Sequence, residues 1–173
     1  MAYSLYDASV PVLLNTLRNL AALLEKAEAH AKTAGVEVGS YLEGRLAPDM
    51  HPLTRQIQMA SDAAKGGAAR LAAVEPPSYA DDEKTWAEVK ARVAKTIAYI
   101  ETIKPEQVAG GEGRTIELPL PGRTMTFTGS DFLMRFVLPN FYFHVVTAYA
   151  ILRHQGVPLG KMDFLAGGTP IPA

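Results

Sequence analysis

Four histidines are the side chains of this sequence best suited to proton transfer near neutral pH or to metal ligation, and one of them stands out by its neighbours. Histidines occur at His30, His51, His144 and His154, and there is no cysteine. The absence of cysteine excludes disulfides, thiolate metal sites and cysteine nucleophiles. Any metal would be held by His, Asp, Glu or neutral oxygens. His144 follows Asn140 by four residues and precedes Thr147 by three, so on a helix the three share a face that runs on to Ile151. Phe136 and Phe143 flank this stripe. Polar groups turned into an apolar interior must be hydrogen-bonded or bound to a ligand to offset their desolvation. Two readings follow. His144 is a buried histidine satisfied by its Asn and Thr neighbours, or it is a ligand for a metal or small molecule, since helical bundles build sites from facing helices.

Other polar groups rank behind it. Gln56 falls on the Leu53/Ala60/Ala63 edge of an earlier helix and is the amide placed to face inward. His51 opens that helix near Asp49 and reads as a cap, a solvated residue, or a side chain at the mouth of the bundle. His30 and His154 lie in the last turns of their helices, where the dipole favours a surface histidine. Gln58 and Asp62 share a face with Lys65, a pattern that reads as a solvated stripe.

Missing patterns narrow the chemistry. No histidine pair encloses a glutamate at i,i+4, and no Glu-x-x-His pair of the di-iron bundles occurs. Gly110-Gly111-Glu112-Gly113 lacks the lysine and preceding strand of a phosphate-binding loop. Gly129-Ser130-Asp131 reads as a helix cap. The formal net charge is -1, and the scattered basic residues are matched by acidic ones, so no nucleic-acid partner is expected. The first residues lack a basic region and the apolar run after them is interrupted, so neither a signal peptide nor a membrane span is expected. Cytoplasmic residence is the default.

The elements that must position these residues are helices. At 173 residues, 48% hydrophobic and 20% charged, the chain has the balance of one globular domain, taken as residues 1–173. Apolar positions at three- and four-residue spacing predict a first helix from Leu5 to Lys32 ended by Gly35. A second runs from Met50 to Val74 with a face rich in Ala and Gly. A third starts at Asp81 or Asp82 and ends at Lys104-Pro105. The period then changes to two: Thr115–Leu118 and Met125–Thr128 predict a hairpin turned at Pro121-Gly122, which must pack on the helices or pair with another chain. Ser130-Asp131 caps a fourth helix reaching Gln155, divided or kinked near Leu138 by Pro139. The tail is anchored by Met162, Phe164 and Leu165, and its last few residues are expected to be poorly ordered. The fold class is all-α, an antiparallel four-helix bundle with a short β-hairpin between helices three and four.

Several segments resemble a bacterial family of uncharacterised proteins within the DinB/YfiT-like superfamily. They are Ser4-Leu5-Tyr6-Asp7-Ala8-Ser9-Val10-Pro11, Arg45-Leu46-Ala47-Pro48-Asp49-Met50, Phe127-Thr128-Gly129, and the long run from Leu138-Pro139-Asn140-Phe141-Tyr142-Phe143-His144 through Leu159-Gly160-Lys161. The resemblance covers nearly the whole chain and implies a DinB-like four-helix bundle and a homodimer. It also implies a three-histidine metal pattern, one residue on helix two and an HxxxH pair on helix four. Here His144 falls on the second histidine of the pair and Asn140 on the first. Helix two offers Gln56 and His51 as the nearest substitutes. The implied site is therefore a degenerate one, with His144, Asn140 and His51 left to hold a divalent metal such as zinc or nickel.

Three functions remain open on these residues. One is a small-ligand-binding or stress-associated protein whose pocket is lined by Gln56, Asn140, His144 and Thr147. A second is a metal-dependent enzyme acting on small thiols or activated small molecules. The third is a structural protein acting through its dimer.

Overall fold

The computed structural model describes residues 3–168. Helix α1 (Val10–Ala34) buries Leu13, Leu17, Leu20 and Leu24 along one stripe and stops at Gly35, whose φ of 67° is left-handed. It begins later than its apolar pattern suggests. Ser4 and Asp7 bond each other through side chain and backbone, and the Ser9 hydroxyl donates to the Leu5 carbonyl at 2.6 Å, so the first residues form turns. A 3-10 turn at Val38–Glu43 leads to α2 (Leu53–Leu71), which starts after Pro52.

Helix α3 (Trp86–Ile100) starts at neither Asp81 nor Asp82. Thr85 is its cap, in a reciprocal box with Glu88. Asp81 and Glu83 are turned onto Arg92 instead. The Arg92 side chain is 2% exposed and pairs with Asp62 at 2.8 Å, Asp81 at 3.0 Å and Glu83 at 2.9 Å. It also donates to the Ala80 carbonyl at 2.9 Å. This network corrects the reading of Gln58, Asp62 and Lys65 as a solvated stripe. Gln58 and Lys65 are buried, and Lys65 pairs with Asp62 at 3.1 Å. A buried cation on α3 draws the polar face of α2 into the helix interface, where its charge is compensated.

After the single turn α4 (Pro105–Val108) come β1 (Thr115–Leu120) and β2 (Arg123–Thr128), paired antiparallel from Thr115↔Thr128 to Leu120↔Arg123. Both strands extend further than the alternation suggests, because Pro119 is tolerated in a two-stranded ribbon where only one edge must pair. The hairpin packs on the helices: Ile116 and Leu118 are buried, and the Phe127 ring lies 5.7 Å from Phe132 and 5.8 Å from Phe136.

The last long helical run divides near Leu138, as Pro139 requires. It consists of α5 (Gly129–Asp131), a π-helical stretch at Phe132–Val137, and α6 (Leu138–His154). Pro139 thereby falls in the first turn of α6, next to the wider π register, where its missing donor is tolerated. The cap is Thr128, whose hydroxyl accepts from the Asp131 amide at 3.2 Å, and not Ser130. Helix α7 (Lys161–Ala166) is pinned to α1 by the Asn19 amide, which donates to the Phe164 and Leu165 carbonyls at 2.9 Å. Of the expected anchors, Phe164 packs against Tyr149 while Met162 and Leu165 stay exposed. The expectation for the last few residues of the tail lies outside the described residues.

The architecture is thus mostly helical, seven helices among the described residues with one small antiparallel sheet. Helices α1, α2, α3 and α6 are the long ones. Helix α2 is packed between α3 and α6, and α1 lies against α3 and α7. No described helix is long and apolar enough to cross a membrane.

The contact of α2 with the π stretch depends on a missing side chain. A Cβ on Gly67 would stand 2.5 Å from Val137 Cγ1. Gly67→Ala should therefore lower stability by about 1–3 kcal/mol through overpacking, against a helix-propensity gain of about 1 kcal/mol. Urea titration reads the balance. An unchanged or raised midpoint would mean that Val137 moves aside freely.

Candidate functional site

The site is built where α2 faces α6. His144 on α6 is 8% exposed, and its Nδ1 lies 2.9 Å from Gln56 Oε1 on the first turn of α2. Gln56 is buried, and its amide nitrogen donates to the His51 carbonyl at 3.2 Å. These two bonds set the proton positions. An amide oxygen only accepts, so Nδ1 carries the hydrogen. Flipping the amide would turn its oxygen onto the His51 carbonyl oxygen, two acceptors with no proton between them. The imidazole is therefore the Nδ1–H tautomer, with the lone pair on Nε2. Burial, and then the positive neighbours His51 and Arg55, hold its pKa below the ordinary histidine value of 6.5, so it is neutral near pH 7.

His144 lies on the wall of a cleft of about 300 Å³. Helix α2 contributes Met59, Asp62, Ala63, Gly66, Gly67 and Arg70 to it. The π stretch adds Phe132, Phe136 and Val137, the hairpin adds Leu118, and α6 adds Asn140 and His144. The floor is apolar, and the polar groups stand at intervals along the wall, the usual composition of a small-molecule site.

The expected residues divide. Gln56 and His144 are brought together and Asn140 lines the cleft one turn before His144, while Gln56 stands behind the imidazole and does not itself line the cleft. Thr147 is buried on the same stripe, but its hydroxyl donates to the Phe143 carbonyl of its own helix at 2.6 Å, and it does not reach the cleft. His51 supplies a backbone carbonyl, while its imidazole is exposed. The partner that satisfies His144 is thus Gln56 across the helix interface, and not Asn140 or Thr147 on its own helix. Phe136 lines the cleft, whereas Phe143 is 58% exposed and meets the His144 ring edge-on at 5.2 Å. Away from the site, His30 Nδ1 lies 3.0 Å from the Tyr41 hydroxyl and His154 is exposed.

Arg70, Leu118 and Phe132 were not singled out by the sequence reading. One signal was present: Asp62, Gly66 and Arg70 follow at four-residue steps, a single stripe of α2. Nothing in the sequence joined that stripe to the hairpin.

The donors in the cleft do not fit a three-histidine metal centre. They are one imidazole, one amide, and the Asp62 carboxylate, which is already paired with Arg92 and Lys65. Among the described residues no group of three or more His, Cys, Asp or Glu side chains is placed to hold a metal ion.

A mostly helical chain with a short hairpin ahead of its last long helix is a DinB-like architecture. The crystal structure of a DinB family member protein from Shewanella denitrificans is similar to it at a TM-score of 0.86 and 40% identity, over 98% of this chain and 95% of that one. Residues 5–165 match the family described as domain of unknown function DUF1993, and the chain belongs to that family. No curated protein matches it.

The tautomer and its burial are measurable. Nitrogen-15 NMR of the histidine rings should show Nδ1–H at His144 and a pKa under 6.5. The unfolded chain takes up this proton first as pH falls. Stability linked to His144 is therefore complete above about 6.5 and is lost as pH drops through the folded value. A His144→Asn variant should lose that slope, and an unchanged slope would assign it to other groups.

Proposed function

We propose that the cleft beside His144 is a small-molecule binding site standing in the place of a degenerate metal centre. In this reading α1, α2, α3 and α6 form the antiparallel four-helix bundle that frames it. One observation carries the proposal: Gln56 holds the His144 imidazole through Nδ1 on the wall of an open, mostly apolar cleft, and among the described residues Nε2 has no hydrogen-bond partner. Such an atom accepts a hydrogen bond from a ligand while the ring stays neutral, so no buried charge is created. The Asn140 amide adds a donor and an acceptor one turn away, and the half-buried Phe136, backed by the buried Phe132, offers apolar surface to a hydrocarbon portion.

Elemental analysis of the tag-free protein tests the metal half of the proposal. Both wild type and His144→Ala should hold zinc or nickel at well below one atom per chain. About one atom per chain in the wild type, lost in His144→Ala, would overturn the reading. It would favour a metal-dependent enzyme acting on small thiols or activated small molecules.

A second observation favours a homodimer. Helix α6 is apolar nearly all round. Its inner side packs on α2, yet Phe143 at 58% and Val146 at 47% exposure stand outward beside Pro139 and Ala150. A helix hydrophobic on both sides is one that is covered on both, and a second copy of the same face would cover this one. Sedimentation at micromolar concentration should show a dimer, and Val146→Glu should shift it to monomer. A monomeric wild type would end this reading.

A further inference from the structure

Arg70 makes an unusual arrangement at the far end of the cleft. Its Nη1 donates to the Gly66 carbonyl one turn back at 3.1 Å, and a Cβ on Gly66 would stand 2.8 Å from that nitrogen. The glycine leaves the space into which the guanidinium folds. Among the described residues Arg70 has no carboxylate partner, whereas Arg55 and Arg18 each meet one and Arg92 meets three. Its neighbour Arg114 donates to the Leu71 carbonyl. Glu75 and Glu117 line the adjoining groove with Arg70 and do not pair with it.

The charge balance of the cleft follows. Among the described residues Asp62 is its one carboxylate, and Lys65 and Arg92 already neutralise it. What remains is one half-buried guanidinium at one end of an apolar floor and uncharged polar groups at the other. A guanidinium is a planar fork of donors that matches a carboxylate in two parallel bonds. The stretch from Met59 to Arg70 corresponds to about 16 Å of helix at 1.5 Å per residue, so a compact ligand fits along it.

Resting on the reading of the cleft as a ligand site, we propose that its ligand is a small organic carboxylate with an aromatic or aliphatic body. The acid group docks on Arg70, the body lies over Phe132, Phe136 and Leu118, and a polar substituent meets His144 and Asn140. Arg70 is the specificity-determining residue, selecting acids over the matching amides and amines.

NMR titration of the full chain with benzoate, benzamide and benzylamine tests this. Benzoate should shift cleft resonances at lower concentration than benzamide, and benzylamine should not bind. Arg70→Gln should weaken benzoate about tenfold or more while leaving benzamide unchanged. Gly66→Ala keeps the charge but crowds the guanidinium, and should weaken benzoate as well. Equal binding of benzoate and benzamide, or benzoate binding untouched by Arg70→Gln in a folded variant, would overturn the role of Arg70 and leave the ligand site standing. If none of the three probes shifts a cleft resonance at millimolar concentration, the ligand-site reading itself fails.

Discussion

The space that a side chain on Gly67 would fill is occupied by Val137. This exclusion holds α2 against the π stretch and, beyond it, against α6. With a larger residue there the helices would stand further apart. The hydrogen bond between Gln56 and His144 spans the same α2–α6 interface and needs that closeness, since a buried histidine without a partner is costly. Gly66, Ala63 and Ala60 extend the same small-residue edge along α2. The close approach supplies both the packing and the alignment of the His144–Gln56 pair.

Helix α2 has a second polar edge, turned the other way. Gln58, Asp62 and Lys65 meet Arg92 and the segment before α3, and the Ser61 and Thr96 hydroxyls lie 2.7 Å apart in the same interface. Burial raises the Asp81 carboxyl, but the hydrogen bond from Arg55 and the charge of Arg92 outweigh it and hold the group below its ordinary value. Asp62 belongs to both edges. It lines the cleft while its charge is answered from α3, which removes the anion from the cleft and leaves Arg70 as the charge a ligand meets. The network that fastens α3 to α2 thus also sets the electrostatics of the site.

The departure from a three-histidine centre is of the same physical kind. Gln56, which the family resemblance offers as a substitute for a metal-binding imidazole, has its amide oxygen engaged by His144 itself. A residue that could have been a weak ligand instead fixes a tautomer. Neutral amide oxygens are poor ligands for first-row metals and good acceptors for an N–H, so the pairing observed is the stronger use of both groups.

Much of this was legible in the residues alone. Periodicity placed four long helices and a hairpin, Pro139 divided the last helix, and the spacing of Asn140, His144 and Thr147 marked a polar stripe, because each of these is a local property of the chain. The inward position of Gln56 could also be read from its helix edge. The partner of His144, the inward turn of Gln58 and Lys65, and the place of Arg70 in the cleft could not. Each depends on which helix lies opposite: a lysine and an aspartate at three-residue spacing look solvated until a buried arginine from another helix is set against them. Sequence by itself determined the elements and the residues able to do chemistry. Tertiary structure alone decided which of them meet, because hydrogen bonds and ion pairs between helices are fixed by close packing across distances in sequence that no local pattern records.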